Sequence, residues 1–147
     1  MVGNYYMEKM TSVVEPTIKD LVAAVSRIPA VAKKEGWKLT LDRDEGALFY
    51  SPPAISSGTE LYRISSEASV YLDNNANPRG IMIECYETNF LEHHKNFQSI
   101  SGKVFPAKEE EVIEVDPQRS NGGEGAEFAK MLEKAIVQGA QEDLAKR

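Results

Sequence analysis

Glu92-His93-His94 is the chain's histidine cluster, and it holds both histidines. With carboxylates from Glu84, Glu87 or Asp116 it could offer nitrogen and oxygen donors to a metal. Neighbouring residues serve one ion poorly, because on a strand they face opposite sides and on a helix they sit about 100° apart. The H-E-x-x-H spacing that puts two rings on one helical face is missing. Glu92, His93 and His94 therefore stand as metal candidates without a spaced third ligand. The residues favour surface or structural histidines, and neither a cofactor nor a stoichiometric metal is expected.

Cys85 could act as a nucleophile if a histidine lay beside it as base. Its alternation with Ile81 and Ile83 instead predicts a small, buried, inert core residue. The stretch from Arg119 to Ala126, with Gly122, Gly123 and Gly125, precedes a helix, where free backbone N–H groups could cradle an anion. It lacks the Lys-Ser or Lys-Thr of a P-loop and the strict G-x-G-x-x-G spacing, and Glu124 and Glu127 would repel phosphate. A linker leading into an acidic helix start is the simpler reading. No Ser-His-Asp combination stands out either. No catalytic residue is assigned, and the residues favour a binding protein over an enzyme.

The elements that would position these residues are better marked. Ile18, Leu21, Val22, Val25 and Ile28 recur at helical spacing, which predicts an amphipathic helix over 17–34, ended or kinked at Pro29. Residues 1–16 read as a loosely held arm. Leu39 and Leu41, a turn at Asp42 to Gly46, then Ala47 to Tyr50 make a first hairpin. Pro52-Pro53 opens a loop, and Glu60 to Ile64 is a third strand. A second hairpin joins Ala68–Leu72 to Ile81–Tyr86 through the turn 73–80, with Val70, Leu72, Ile81, Ile83 and Cys85 as core candidates. Gly102–Phe105 and Val112–Val115 are apolar enough for two further strands, 116–125 is loop, and 126–147 is a second helix. The sheet so predicted spans 37–115. Helix, hairpin-linked strands and helix in that order predict an α+β fold, an antiparallel sheet of five to seven strands flanked by an N-terminal and a C-terminal helix.

Composition narrows the function classes. The 147 residues are 41% hydrophobic and 27% charged, as in an ordinary single domain spanning 1–147. Acidic residues outnumber basic ones, 23 to 17, for a net charge of -6, so phosphate backbones should be repelled and no nucleic-acid partner is expected. No run approaches the roughly 18 apolar residues of a membrane span and the start lacks a secretory signal, so no membrane partner and a cytoplasmic location are expected. One cysteine excludes an internal disulfide.

Read by alternation, Leu48, Tyr50, Tyr71, Met82 and Tyr86 gather on the second face of the sheet. A solvated face would be more polar. Either the chain's own helices cover it, giving a three-layer or strongly curved domain, or another chain does. From that face follows the functional expectation: a non-enzymatic, acidic protein-binding module of adaptor, inhibitor or immunity type, meeting another protein or a second copy of itself. The alternatives are a small metal- or ligand-binding enzyme using the Glu92-His93-His94 region and a self-assembling structural protein.

Asp42–Ser51, Ser69–Asp73 and Arg79–Glu84 together resemble the pattern of a small uncharacterised bacterial two-hairpin family, which pairs a D-x-E-x-x-x-L-x-Y type strand with a later D-x-x-G-x-x-x-G-I-x-I-E type hairpin. The resemblance covers under a third of the chain. It implies the two hairpins and no catalytic residue.

Overall fold

The computed structural model describes residues 15–53, 58–106, 111–119 and 123–146. Most of the arm predicted over 1–16, the centre of the 52–58 loop and the centre of the glycine-rich stretch lie outside these ranges.

Thr17 starts the first helix. Its hydroxyl accepts from the Asp20 backbone N–H at 3.1 Å, and the Asp20 carboxylate accepts from the Thr17 N–H at 2.9 Å. Two backbone donors that a helix start leaves unpaired are thereby satisfied, and the bonds to Thr17 hold the Asp20 carboxyl below its usual range. The helix predicted over 17–34 is two helices, α1 (Ile18–Ser26) and α2 (Ile28–Glu35), broken at Arg27. Pro29 falls in the first turn of α2, where its missing N–H has no partner to lose. Gly36, in the left-handed region at φ 66°, ends α2.

Both hairpins form. β1 (Lys38–Asp42) and β2 (Ala47–Ser51) are joined by a turn in which Asp42 accepts from the Glu45 N–H at 3.1 Å. β3 (Glu60–Arg63) pairs with β4 (Ala68–Leu72), and β4 pairs with β5 (Pro78–Ile83). In the β4–β5 turn, Asp73 Oδ1 accepts from the backbones of Asn75 and Asn77, both at 2.9 Å. With β6 (Val112–Val115) the strands form one antiparallel sheet in the order β3-β4-β5-β2-β1-β6. The fold is α+β, with six strands, helices at the N-terminal side and a C-terminal helix, α5 (Glu124–Leu144).

Between β5 and β6 the chain departs from the sequence-based expectation. The strand predicted over Ile81–Tyr86 stops at Ile83. Cys85 turns the chain at φ 49°, and a π-helical turn (Tyr86–Phe90), a short α3 (Leu91–His93) and α4 (Lys95–Val104) follow. Gly102–Phe105, predicted as a strand, is the end of α4 and the residue after it. Phe97, Ile100, Ser101 and Val104 are its buried positions. Their three- and four-residue spacing is helical, and Gly102 hid it by appearing to start a new element. α5 begins two residues earlier than predicted, with Glu124 and Glu127 in its first turn, where carboxylates complement the helix dipole.

Leu39, Leu41, Leu48, Tyr50, Val70, Leu72, Ile81 and Ile83 all join the buried cluster beneath the helices. Phe128 of α5 is its aromatic centre, edge-on to Phe97 at 5.5 Å and to Phe105 at 5.7 Å. Such pairs add about 0.5–1.5 kcal/mol each beyond the area they bury.

Candidate functional site: the open face of the sheet

Partners across an antiparallel ladder project to the same side, so the register decides which side chains share a face. Leu48 is opposite Ile83 and Tyr50 opposite Ile81, which puts both on the helix-covered side. Phe49, between them, is opposite Met82. Continuing outward, Met82 is opposite Ser69 and Ser69 opposite Arg63, while Phe49 is opposite Thr40 and Thr40 opposite Glu114. One row, Arg63–Ser69–Met82–Phe49–Thr40–Glu114, therefore crosses all six strands on the side away from the helices. Beside it run Leu61, Tyr71 and Gly80, with Ser51 packed against Gly80 and Lys38 opposite Ser51.

No large side chain of these rows belongs to the buried cluster. Phe49, Tyr71 and Met82 are half-buried, Ser69 in the same row is buried, and Leu61 is 42% exposed. Among the described residues no helix covers this face, whose apolar members are Phe49, Leu61, Tyr71 and Met82. Lys38–Glu114 at 3.3 Å and Arg63–Glu84 at 3.1 Å bracket it. Exposed pairs of this kind contribute about 0–1 kcal/mol each, so they add little to the stability of the fold.

Of the five residues that sequence alternation placed on one face, the structure brings Tyr71 and Met82 together. Leu48, Tyr50 and Tyr86 lie in the core. Two parity errors account for this. The four-residue turn at 43–46 sets Asp42 opposite Ala47 and hence Leu41 opposite Leu48, so Leu48 must share the inward side of Leu41. At the other end, Glu84 and Cys85 form a turn rather than strand, which exchanges inside for outside: Cys85 is exposed and Tyr86 fully buried. The prediction of a buried Cys85 is thereby overturned. Phe49 and Leu61 were missed, although counting back from the Asp42–Gly46 turn would have found Phe49.

The histidine region has a different geometry from the one expected. Instead of diverging, both rings approach Glu67, a residue the sequence did not single out. His94 Nε2 lies 2.8 Å from Glu67 Oε1 and His93 Nδ1 lies 3.7 Å from Oε2, while Asn89 donates to Oε2 at 3.1 Å. His93 Nδ1 also meets the Asn89 carbonyl at 2.9 Å, and the His94 ring stacks on Phe90 at 4.0 Å. Glu92 is exposed and takes no part. Among the described residues no three His, Cys, Asp or Glu side chains are grouped to hold a metal. Beside His94 is a cavity of about 200 Å³ lined in part by Ser65, Glu67 and Asp143.

No helix among the described residues is long and apolar enough to cross a membrane. No family model, curated protein or solved structure matches the chain.

Proposed function

We propose that the protein is a non-enzymatic protein-binding module whose contact surface is the open face of the sheet, and that the partner this face fits is a second copy of the chain. The row from Arg63 to Glu114, which no helix among the described residues covers and which has Met82 and Phe49 at its centre, carries the reading. A two-fold axis along the strands, between β5 and β2, would set Met82 of one copy against Phe49 of the other and Arg63 against Glu114. Apolar burial, worth about 25 cal/mol per Å², drives the contact, and the facing ion pairs at the rims set its register.

Five strand spacings of about 4.8 Å make the face roughly 24 Å wide, which places the contact at the small, transient end of protein interfaces. The net charge of -6 opposes self-association, so added salt should strengthen it by screening. Analytical ultracentrifugation over a concentration series tests this. A Tyr71→Ser, Met82→Ser double variant should lose association with little change in melting temperature. Arg63→Glu should weaken it, and Arg63→Glu with Glu114→Arg should restore it. A wild-type chain that stays monomeric throughout, with a double variant that melts much lower, would assign the face to the fold and overturn the reading.

One observation supports an enzymatic alternative. An imidazole held by a carboxylate beside a cavity, as in His94 and Glu67, is the pairing from which a general base is built. Hydrolysis of 4-nitrophenyl acetate, compared between the wild type and His94→Gln, decides it: equal rates would end that alternative.

A further inference from the structure

On the helix-covered side of the sheet, a cleft of about 490 Å³ lies between α2, the first half of α5 and the Pro117–Gln118 turn. That volume is in the range of roughly 300–1,000 Å³ typical of small-molecule sites. It exists because its walls are small: Pro29 and Ala32 from α2, Ala126 and Ala129 from α5. Its floor is aromatic. The Trp37 and Tyr50 rings meet edge to face at 5.2 Å, and both are buried.

One acid reaches into the cleft. The Tyr50 hydroxyl donates to Glu133 Oε2 at 2.9 Å, and Oε1 has no hydrogen-bond partner among the described residues. Burial pushes the Glu133 carboxyl above its usual range, against the opposing pull of the Tyr50 bond and the Lys130 charge. Lys33 and Lys130, both exposed, stand at the mouth. The mouth therefore carries two positive charges against one carboxyl, in a chain whose net charge is -6.

From this arrangement we infer a binding site for a small planar aromatic acid that also bears a hydroxyl or N–H donor. The ring enters the cleft between the Pro29 and Ala126 walls, above Trp37 and Tyr50, the donor bonds to Glu133 Oε1, and the acid group faces Lys33 and Lys130. Each part of the ligand answers one feature of the cleft. A purely apolar molecule would leave Glu133 Oε1 unpaired, and a cationic one would meet the two lysines. The site is on the opposite side of the sheet from the self-association face and does not depend on it.

Trp37 is the chain's only tryptophan, so its fluorescence reports the floor of the cleft directly. The probe is 4-hydroxybenzoate, titrated into the full-length protein. We expect a saturable change with Kd below about 1 mM, equivalent to about -4 kcal/mol. Benzoate, without the donor, and phenol, without the acid, should each bind at least fivefold more weakly. Glu133→Gln keeps an acceptor for Tyr50 but turns an amide donor toward the ligand, and should weaken binding at least fivefold. Ala126→Leu, at an exposed position of the wall, should fill the cleft and abolish the signal. A response that never saturates, or a saturable one that neither substitution weakens, overturns the site.

Discussion

Tyr86 Oη and Ser101 Oγ lie 2.6 Å apart inside the core, joining the π-helical turn after β5 to α4. Burial pushes the Tyr86 phenol well above its usual range, and the Ser101 bond partly offsets this. A buried polar pair of this kind is worth little net while it is complete but costs the full desolvation of whichever partner is left alone. Ser101→Ala should therefore destabilise the protein by about 1–3 kcal/mol in urea unfolding. Tyr86→Phe with Ser101→Ala should be less destabilised than the sum of the two single variants. Simple additivity would show that the hydroxyls do not depend on each other.

Cys85 occupies the left-handed region, which costs a residue with a side chain about 1–2 kcal/mol. Replacing it with glycine removes that cost while giving the unfolded chain more freedom, so Cys85→Gly should stabilise by up to about 1 kcal/mol. The exposed thiol should react with a maleimide in the folded protein nearly as fast as in the unfolded chain. Strong protection in the folded state would contradict the turn at Glu84–Cys85.

Two glycines should respond in opposite ways to alanine. At Gly80 a Cβ would sit 2.9 Å from Ser51 Cβ and 3.4 Å from the Tyr71 ring. Since Ser51 Cβ is fixed to its strand, Gly80→Ala should cost about 1–3 kcal/mol. Gly102 lies within α4 with nothing within 4 Å of that position. Gly102→Ala should stabilise by about 0.5–1 kcal/mol, through lower backbone entropy in the unfolded chain. Thermal melts of the two variants check the sign of each.

Glu133 gives a pH dependence of defined sign. Its carboxyl is raised in the folded protein, so the folded state binds this proton more tightly than the unfolded state does. Its contribution is therefore most favourable at low pH. It falls as pH rises from roughly 4.3, the unperturbed glutamate value, through the raised folded value. Glu133→Gln should remove that decline, so the stability difference between variant and wild type should grow in the variant's favour up to neutral pH. A constant difference across that range would mean that Glu133 titrates normally.

The sequence alone determined the elements whose signals are local. Helical spacing from Ile18 to Ile28 needed only neighbours three and four residues apart. The Asp-rich and Asn-rich turns at 42–46 and 73–80 marked both hairpins because their side chains bond their own backbone. Helix, strands and helix in that order were enough for an α+β fold with an antiparallel sheet. The tertiary structure alone decided what depends on parity and distance. One turn at Glu84–Cys85 ended the strand and sent Tyr86 into the core, because alternation with a period of two holds only while the chain stays extended. Glu67 meets both histidines, and Glu133 meets Tyr50 across 83 positions of chain. No local pattern encodes such pairs, because packing of the helices on the sheet brings them together.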